Sequence, residues 1–298
     1  MSRNLKSLPC SFSGKDTLKN YARLMRLDRP VGIFLCLWPA LWSLSLSSSS
    51  VPSLQLWLAF IGGAILMRSI GCIVNDLIDQ NIDRHVRRTK DRPLASGQLS
   101  RAQAFFILGI LSLCTLSLLL TLNQETIQLG LLIVIPVVLY PVLKRFTYWP
   151  QIFLGLVFNW GVLMADMAQN RSLSLPILIL YVACVFWTIG YDTLYAFQDY
   201  EDDKKIDVKS SALKIGYERG KGFIFICYGG FFIGLLICAY LTHTLLFGLC
   251  LPLWALWVLI RLKSLSLKDP RGCGSFFKFN ALLGFLIWAS ILLTTLVQ

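Results

Sequence analysis

Residues 54–92 read LQLWLAFIGGAILMRSIGCIVNDLIDQNIDRHVRRTKDR, and three kinds of sequence follow one another in them. Leu54 to Val74 is apolar almost throughout, long enough as a helix to cross a hydrocarbon core of about 30 Å. An acidic stretch follows, with Asn75, Asp76, Asp79 and Asp83. A basic stretch comes last, with Arg84, Arg87, Arg88, Lys90 and Arg92. If the helix continues past Val74, Asn75, Asp79 and Asp83 recur at i, i+4 and i+8 and share one face. An apolar span that ends in a carboxylate face beside a basic loop predicts a membrane protein whose chemistry lies at one surface of the bilayer.

The rest of the chain repeats the first part of that pattern. Of its 298 residues 56% are hydrophobic and 15% charged, against about 45–50% and 25% in soluble domains. Nine apolar runs, near 31–48, 54–74, 102–122, 126–143, 150–169, 173–193, 222–242, 244–260 and 279–297, predict an all-α polytopic protein with nine transmembrane helices. Lys and Arg number 28, and 26 of them fall on one side of that arrangement: before run one and after runs two, four, six and eight. Arg171 falls on the other side and Arg68 inside run two. This alternation is the positive-inside pattern, and it predicts a cytoplasmic N-terminus. The net charge of +12 is then a topology signal and not a sign of nucleic acid as a partner. Residues 1–29 read as a cytoplasmic basic lead-in whose Tyr21, Leu24, Met25 and Leu27 rest on headgroups, and 30–298 as one membrane domain. The nine Cys form no CxxC or Cys/His cluster, which excludes zinc and disulfide frameworks.

A second acidic cluster follows run six: Asp192, then Asp199, Glu201, Asp202 and Asp203. Asp199 and Asp203 repeat the i, i+4 spacing, and both clusters end even-numbered runs. The two are expected on the same side, at equivalent ends of two parallel four-helix units. Carboxylate and amide oxygens without His or Cys suit Mg²⁺, which combines a few carboxylates with substrate phosphate oxygens. Lys204, Lys205, Lys209 and Lys214 flank the second cluster as the arginines flank the first. One such loop alone reads as a solvated surface with ion pairs; two with the same spacing at matching helix ends point to a site. Secondary transporters also use intramembrane carboxylates, but near the midplane on broken helices.

These residues resemble the UbiA superfamily of membrane prenyltransferases. Asn75-Asp76-x-x-Asp79-x-x-x-Asp83, with Arg88-Thr89-x-x-Arg92-Pro93-Leu94 after it, is similar to that family's first aspartate-rich motif. Tyr191-Asp192-Thr193-x-Tyr195-Ala196-x-x-Asp199-x-x-x-Asp203, followed by Lys209-Ser210, is similar to its second. Between them Tyr140-Pro141-x-x-Lys144-Arg145-x-Thr147-x-x-Pro150-Gln151 resembles the branch that uses 4-hydroxybenzoate. The resemblance implies nine helices around a central cavity open to lipid, and Mg²⁺-dependent transfer of a polyprenyl chain from its diphosphate. It places metal at Asn75, Asp79, Asp83, Asp199 and Asp203, with Asp76 and Asp192 also matching. Gln80 stands where the family often has a base, Asp207 where Gly is frequent, and Asp166 where an aromatic is common.

Arg88, Arg92 and Lys209 are then expected to stabilise the departing diphosphate. Tyr140, Tyr191 and Tyr195 offer π-faces to the allylic cation. Arg145 is expected to hold the carboxylate of the aromatic acid bidentately, or to serve as a plain cytoplasmic anchor. Asp192 reads either as the base for the phenol proton or as an outer partner of the metal. Arg68 reads equally as a structural partner of the acidic faces or as a substrate contact. Trp38 and Trp149 fit interfacial belts, and neither His85 nor His243 has a catalytic partner. Another aromatic acceptor remains the alternative within the superfamily. A short basic N-terminus with no long Arg/Ser-rich presequence predicts a bacterial inner membrane over a mitochondrial one.

Overall fold

The structure is a computed structural model and describes residues 14–47, 51–143, 145–205 and 209–297. The first thirteen residues of the lead-in, Lys144 and Asp207 lie outside the described residues. What is described is helical: α1 (Gly14–Leu24), α2 (Val31–Leu46), α3 (Leu54–Asp83), α4 (Arg101–Leu119), α5 (Gln124–Leu132), α6 (Val134–Leu143), α7 (Pro150–Phe158), α8 (Trp160–Asn170), α9 (Leu175–Ala196), α10 (Tyr200–Lys205), α11 (Ser211–Leu241), α12 (Leu245–Ser264) and α13 (Pro270–Val297). Local chemistry sets several starts. The Ser53 hydroxyl accepts from Leu56 N, Ser100 and Gln103 form a capping box, and Ser210 accepts from Leu213 N, each satisfying amides that a helix N-terminus leaves bare.

Among the described residues eight helices are long and apolar enough to cross a membrane, with α5–α6 and α7–α8 each counted as one. The first expected run is the shorter α2, 16 residues or about 24 Å at 1.5 Å per residue. Twelve of those residues are buried, because α13, α8, α3 and α9 all pack on it. It is the hub of the bundle, whereas α4 buries only Ala104 and Leu119 and turns Phe106 and Leu113 outward. In lipid such exposure costs nothing, and close packing drives association instead. The seam of α9 with α11 shows it: a Cβ at Gly234 would lie 2.6 Å from the Ala183 Cβ.

The core around α2 is aromatic. Trp42 and Trp187 lie 5.1 Å apart, and Trp187 stacks on Phe231 at 5.4 Å. Their indole N–H groups are satisfied, Trp42 by Gly284 O at 3.0 Å and Trp187 by Asn280 Oδ1 at 2.8 Å. Trp38 corrects one expectation: it is buried, stacked on Phe34 at 5.7 Å and beside Trp288, and not part of an interfacial belt. Leu24 corrects another. It is fully buried with Ile73, Leu77 and Leu94, while Tyr21 and Met25 are partly buried against that cluster, so Leu24 belongs to the protein interior and Leu27 is exposed.

The fifth run breaks at Asn159, between α7 and α8. Freed backbone at membrane depth needs partners. The Asn159 amide supplies them, donating to Gly155 O at 2.7 Å and Thr188 Oγ1 at 2.8 Å. Asp166, which had no explanation in the sequence, ties α8 to α9. Its buried carboxylate accepts from Asn170 Nδ2 at 2.7 Å and from the amide and hydroxyl of Ser174, the residue just before α9, at 2.7 and 2.9 Å. Asp166→Ala would strand these donors, at a cost of about 2 kcal/mol. Thermal unfolding in detergent should show a lowered midpoint with unchanged KM values below it.

Candidate active site

α3 does continue through the acidic stretch, so Asn75, Asp79 and Asp83 lie on successive turns of one helix. The second cluster is built differently from the first. α9 ends at Ala196, a turn follows, and Asp199 stands just before the short α10 while Asp203 lies within it, still one turn apart, with Asp203 N donating to Asp199 O at 2.8 Å.

The two clusters meet. Arg88, from the loop after α3, reaches across to Asp199: its Nε lies 3.0 and 2.9 Å from the two carboxylate oxygens, and its Nη2 also donates to Oδ2. Its Nη1 donates to the Tyr195 hydroxyl at 2.9 Å, and the guanidinium lies 4.9 Å from that ring centre. The loop itself is fixed to α3. Thr89 Oγ1 donates to Asp83 O at 3.0 Å, Arg84 Nε to Ala95 O at 3.0 Å and Gln80 Nε2 to Leu94 O at 2.9 Å. Gln80, a departure from the family pattern, therefore serves the loop's anchorage.

Asp76 faces another way. It is buried, and Arg26 Nη2 donates to both its oxygens at 2.7 and 2.8 Å while Arg92 Nη1 donates to Oδ1 at 3.0 Å. Arg92 Nη1 also donates to Asp83 Oδ2 at 2.7 Å. The chain Arg26–Asp76–Arg92–Asp83 thus joins the lead-in, α3 and the loop. Burial pulls the Arg26 guanidinium down; the Asp76 charge, the neighbouring Cys72 and the hydrogen bonds to Asp76 together outweigh it and hold the group above its usual value.

Lys209 does not join Arg88. Its Nζ donates to Phe146 O at 3.4 Å and lies 5.6 Å from the Tyr148 ring centre. Arg145, with a half-exposed side chain, donates to Ile78 O at 3.2 Å and stands 3.9 Å from the Asp79 carboxylate, which is fully buried.

Deeper in the bundle, Arg68 lies two turns before Asn75 on α3. Its guanidinium stands 5.2 Å from the Phe158 ring centre, and its buried Nε has no hydrogen-bond partner among the described residues. No carboxylate among them comes within ion-pairing distance of it. Asp192, on α9, likewise has no hydrogen bond among the described residues, and Arg68 and Arg88 are the cations whose fields reach it. Tyr140 lies within electrostatic reach of both Asp192 and Arg68. Tyr191 is buried between Trp187 at 5.2 Å and Phe277 at 5.7 Å, and Tyr195 lies on Phe277 at 4.2 Å. Phe277 and Phe158 were not singled out in the sequence. Phenylalanines in apolar runs carry no local mark of function.

The donor chemistry of Asn75, Asp79, Asp83, Asp199 and Asp203 is all oxygen and fits a hard divalent cation. Among the described residues, no three His, Cys, Asp or Glu side chains converge as a ready-made metal cluster. Arginines instead supply the positive charge at Asp83 and Asp199.

The helices thus form a bundle with acids and bases gathered at one end, above the interior Arg68 and a set of aromatic rings. The chain belongs to the UbiA prenyltransferase family, whose model matches residues 36–289. It is 39% identical over 289 residues to a 4-hydroxybenzoate octaprenyltransferase of Coxiella burnetii, covering 94% of this chain and 98% of that one. The octaprenyltransferase of the same description from Pseudomonas aeruginosa is 39% identical over 277 residues, covering 90% and 91%. In fold the chain is similar to a UbiA homologue from Aeropyrum pernix K1, with a TM-score of 0.75 at 20% identity over 87% of this chain and 97% of that one. It is also similar to the Archaeoglobus fulgidus homologue bound to GPP and Mg²⁺, with a TM-score of 0.69 at 17% identity over 93% and 99%.

Proposed function

We propose that this protein transfers a polyprenyl group from its diphosphate to the ring carbon of 4-hydroxybenzoate ortho to the hydroxyl, the prenylation step of ubiquinone biosynthesis. The observation that carries the reading is the bridge from Arg88 to Asp199, which joins the ends of α3 and α9 into one acid–base mouth. Relatives with 39% identity over nearly the whole chain are named 4-hydroxybenzoate octaprenyltransferases.

Asn75, Asp79, Asp83, Asp199 and Asp203 would hold Mg²⁺, which when bound supplies positive charge to the diphosphate. Arg88 and Arg92 bind phosphate oxygens, and Lys209 adds charge from the Phe146 side. The allylic C–O bond breaks, and the ring carbon bonds to the allylic carbon. Tyr140, Tyr191 and Tyr195 present π-faces to the positive charge meanwhile. Asp192 takes the phenol proton as the ring attacks, the ring hydrogen moves to the oxygen as aromaticity is restored, and the proton on Asp192 leaves with the released diphosphate. For the acceptor carboxylate Arg68 is better placed than Arg145. It is interior, near Asp192 and without a carboxylate partner among the described residues, whereas Arg145 is engaged at the mouth. The bridging role of Asp76 favours an anchor for Arg26 and Arg92 over a metal ligand.

Asp76→Asn should therefore raise the KM for polyprenyl diphosphate on the order of tenfold, the loss of one charge-assisted bond. The Mg²⁺ concentration needed for half activity should stay at the parent value; titration of Mg²⁺ in a steady-state assay reads both. The nine-helix count, the cytoplasmic N-terminus and mouth, the 30–298 catalytic domain and a bacterial inner membrane complete the proposal; the distribution of basic residues supports the orientation. Expression in a bacterium lacking its own 4-hydroxybenzoate prenyltransferase tests the function. Ubiquinone should reappear in the lipid extract, and its absence despite well-inserted protein would overturn the acceptor assignment.

A further inference from the structure

We infer that Gly32 is a positioning residue for the acceptor, because its missing side chain is the seat on which the Arg68 guanidinium rests. The inference depends on the reading of Arg68 as the cation that holds the acceptor carboxylate. Gly32 lies in the first turn of α2. A Cβ built there would stand 2.6 Å from Arg68 Nε, 2.8 Å from Nη2 and 3.0 Å from Cζ. The guanidinium thus lies directly against the α2 backbone, with Phe158 5.2 Å away.

Among the described residues nothing else fixes this head group in the usual way. No carboxylate pairs with it among the described residues, and its Nε donates to none of them. A buried arginine normally takes an acid or carbonyl partner. Here shape does the holding: the bare backbone at Gly32 allows the approach and the Phe158 ring faces the guanidinium. That arrangement leaves N–H donors unspent, and a planar guanidinium recognises a carboxylate through two parallel bonds of fixed geometry. The residue keeps some accessible surface, as contact with a small acid requires.

The consequence of filling the seat is distinctive. At Gly234 an added methyl meets the packed Ala183 Cβ at 2.6 Å, and at Gly284 it meets the Trp38 ring; there the core must move and stability suffers. At Gly32 the obstacle is the far end of a flexible side chain. Gly32→Ala should therefore leave the fold intact and shift the guanidinium. A displacement of about 1 Å in a positioning group costs up to roughly 100-fold.

The experiment measures KM for 4-hydroxybenzoate and for polyprenyl diphosphate, with the thermal midpoint, in the parent and in Gly32→Ala, Arg68→Lys, the double variant and Gly234→Ala. Gly32→Ala is expected to raise the KM for 4-hydroxybenzoate at least tenfold, to keep that for the diphosphate within twofold, and to hold the midpoint. Added to Arg68→Lys it should change the acceptor KM by less than a further twofold, since both act through one group. Gly234→Ala should lower the midpoint without this split. Equal rises in both KM values, or fully additive effects in the double variant, would overturn the role of Gly32. If Arg68→Lys raises the acceptor KM and Gly32→Ala does not, the Gly32 inference alone fails. If Arg68→Lys leaves that KM at the parent value, the reading of Arg68 fails and the inference with it.

Discussion

Asp79→Asn and Asp199→Asn should each reduce prenyl transfer by about 1000-fold or more, the scale on which loss of a preorganised electrostatic element acts. Asn keeps the volume and removes the charge. Asp79 is fully buried on α3, and Asp199 holds Arg88 from the other side of the mouth. Each belongs to one half of a site that needs both halves to grip a diphosphate. The double variant should accordingly be little worse than either single one, because groups that act as a unit are strongly non-additive. Product formation under single-turnover conditions reads this, with circular dichroism to confirm retained helix. A double variant whose loss equals the product of the single losses would mean that the two clusters work independently.

The second large effect concerns Arg68. Arg68→Ala is expected to cut kcat/KM for 4-hydroxybenzoate roughly 100- to 5000-fold, since an uncompensated carboxylate in a buried site costs about 3–5 kcal/mol. An uncharged acceptor such as 4-hydroxybenzamide should lose far less, because it needs no cation. Arg145→Ala should have a smaller effect on the acid, as Arg145 sits half exposed at the mouth. A larger loss in Arg145→Ala than in Arg68→Ala, with both proteins folded, would return the carboxylate to Arg145.

Much of this architecture is written in patterns that survive without coordinates. Apolar runs and the one-sided distribution of Lys and Arg outline the spans, and the Asp-x-x-x-Asp spacing marks both acidic ends. What stayed hidden depends on partners distant in the chain. α2 reads as an ordinary span, yet the helices around it make it the buried hub. Leu24 reads as a headgroup contact until Ile73 and Leu94 are seen to enclose it. Asp166 makes sense only once Ser174 is placed on its carboxylate. Asp76 matches a metal motif in the sequence, but Arg26, fifty residues away, claims both its oxygens. Arg68 carried a sequence signal, as an arginine inside a membrane run. The contacts on which the proposed reading of it rests, with Gly32 and Phe158, have no sequence signature.

The most direct test of prenyl transfer to 4-hydroxybenzoate at an acid–base mouth is product analysis. Membranes containing this protein would receive 4-hydroxybenzoate, a polyprenyl diphosphate and Mg²⁺, with and without a chelator, and the extract would go to mass spectrometry. The expected result is 4-hydroxybenzoate prenylated on the carbon ortho to its hydroxyl, formed only when Mg²⁺ is free. Well-inserted protein that yields no prenylated acid, or yields as much in the chelator as without it, would contradict the account.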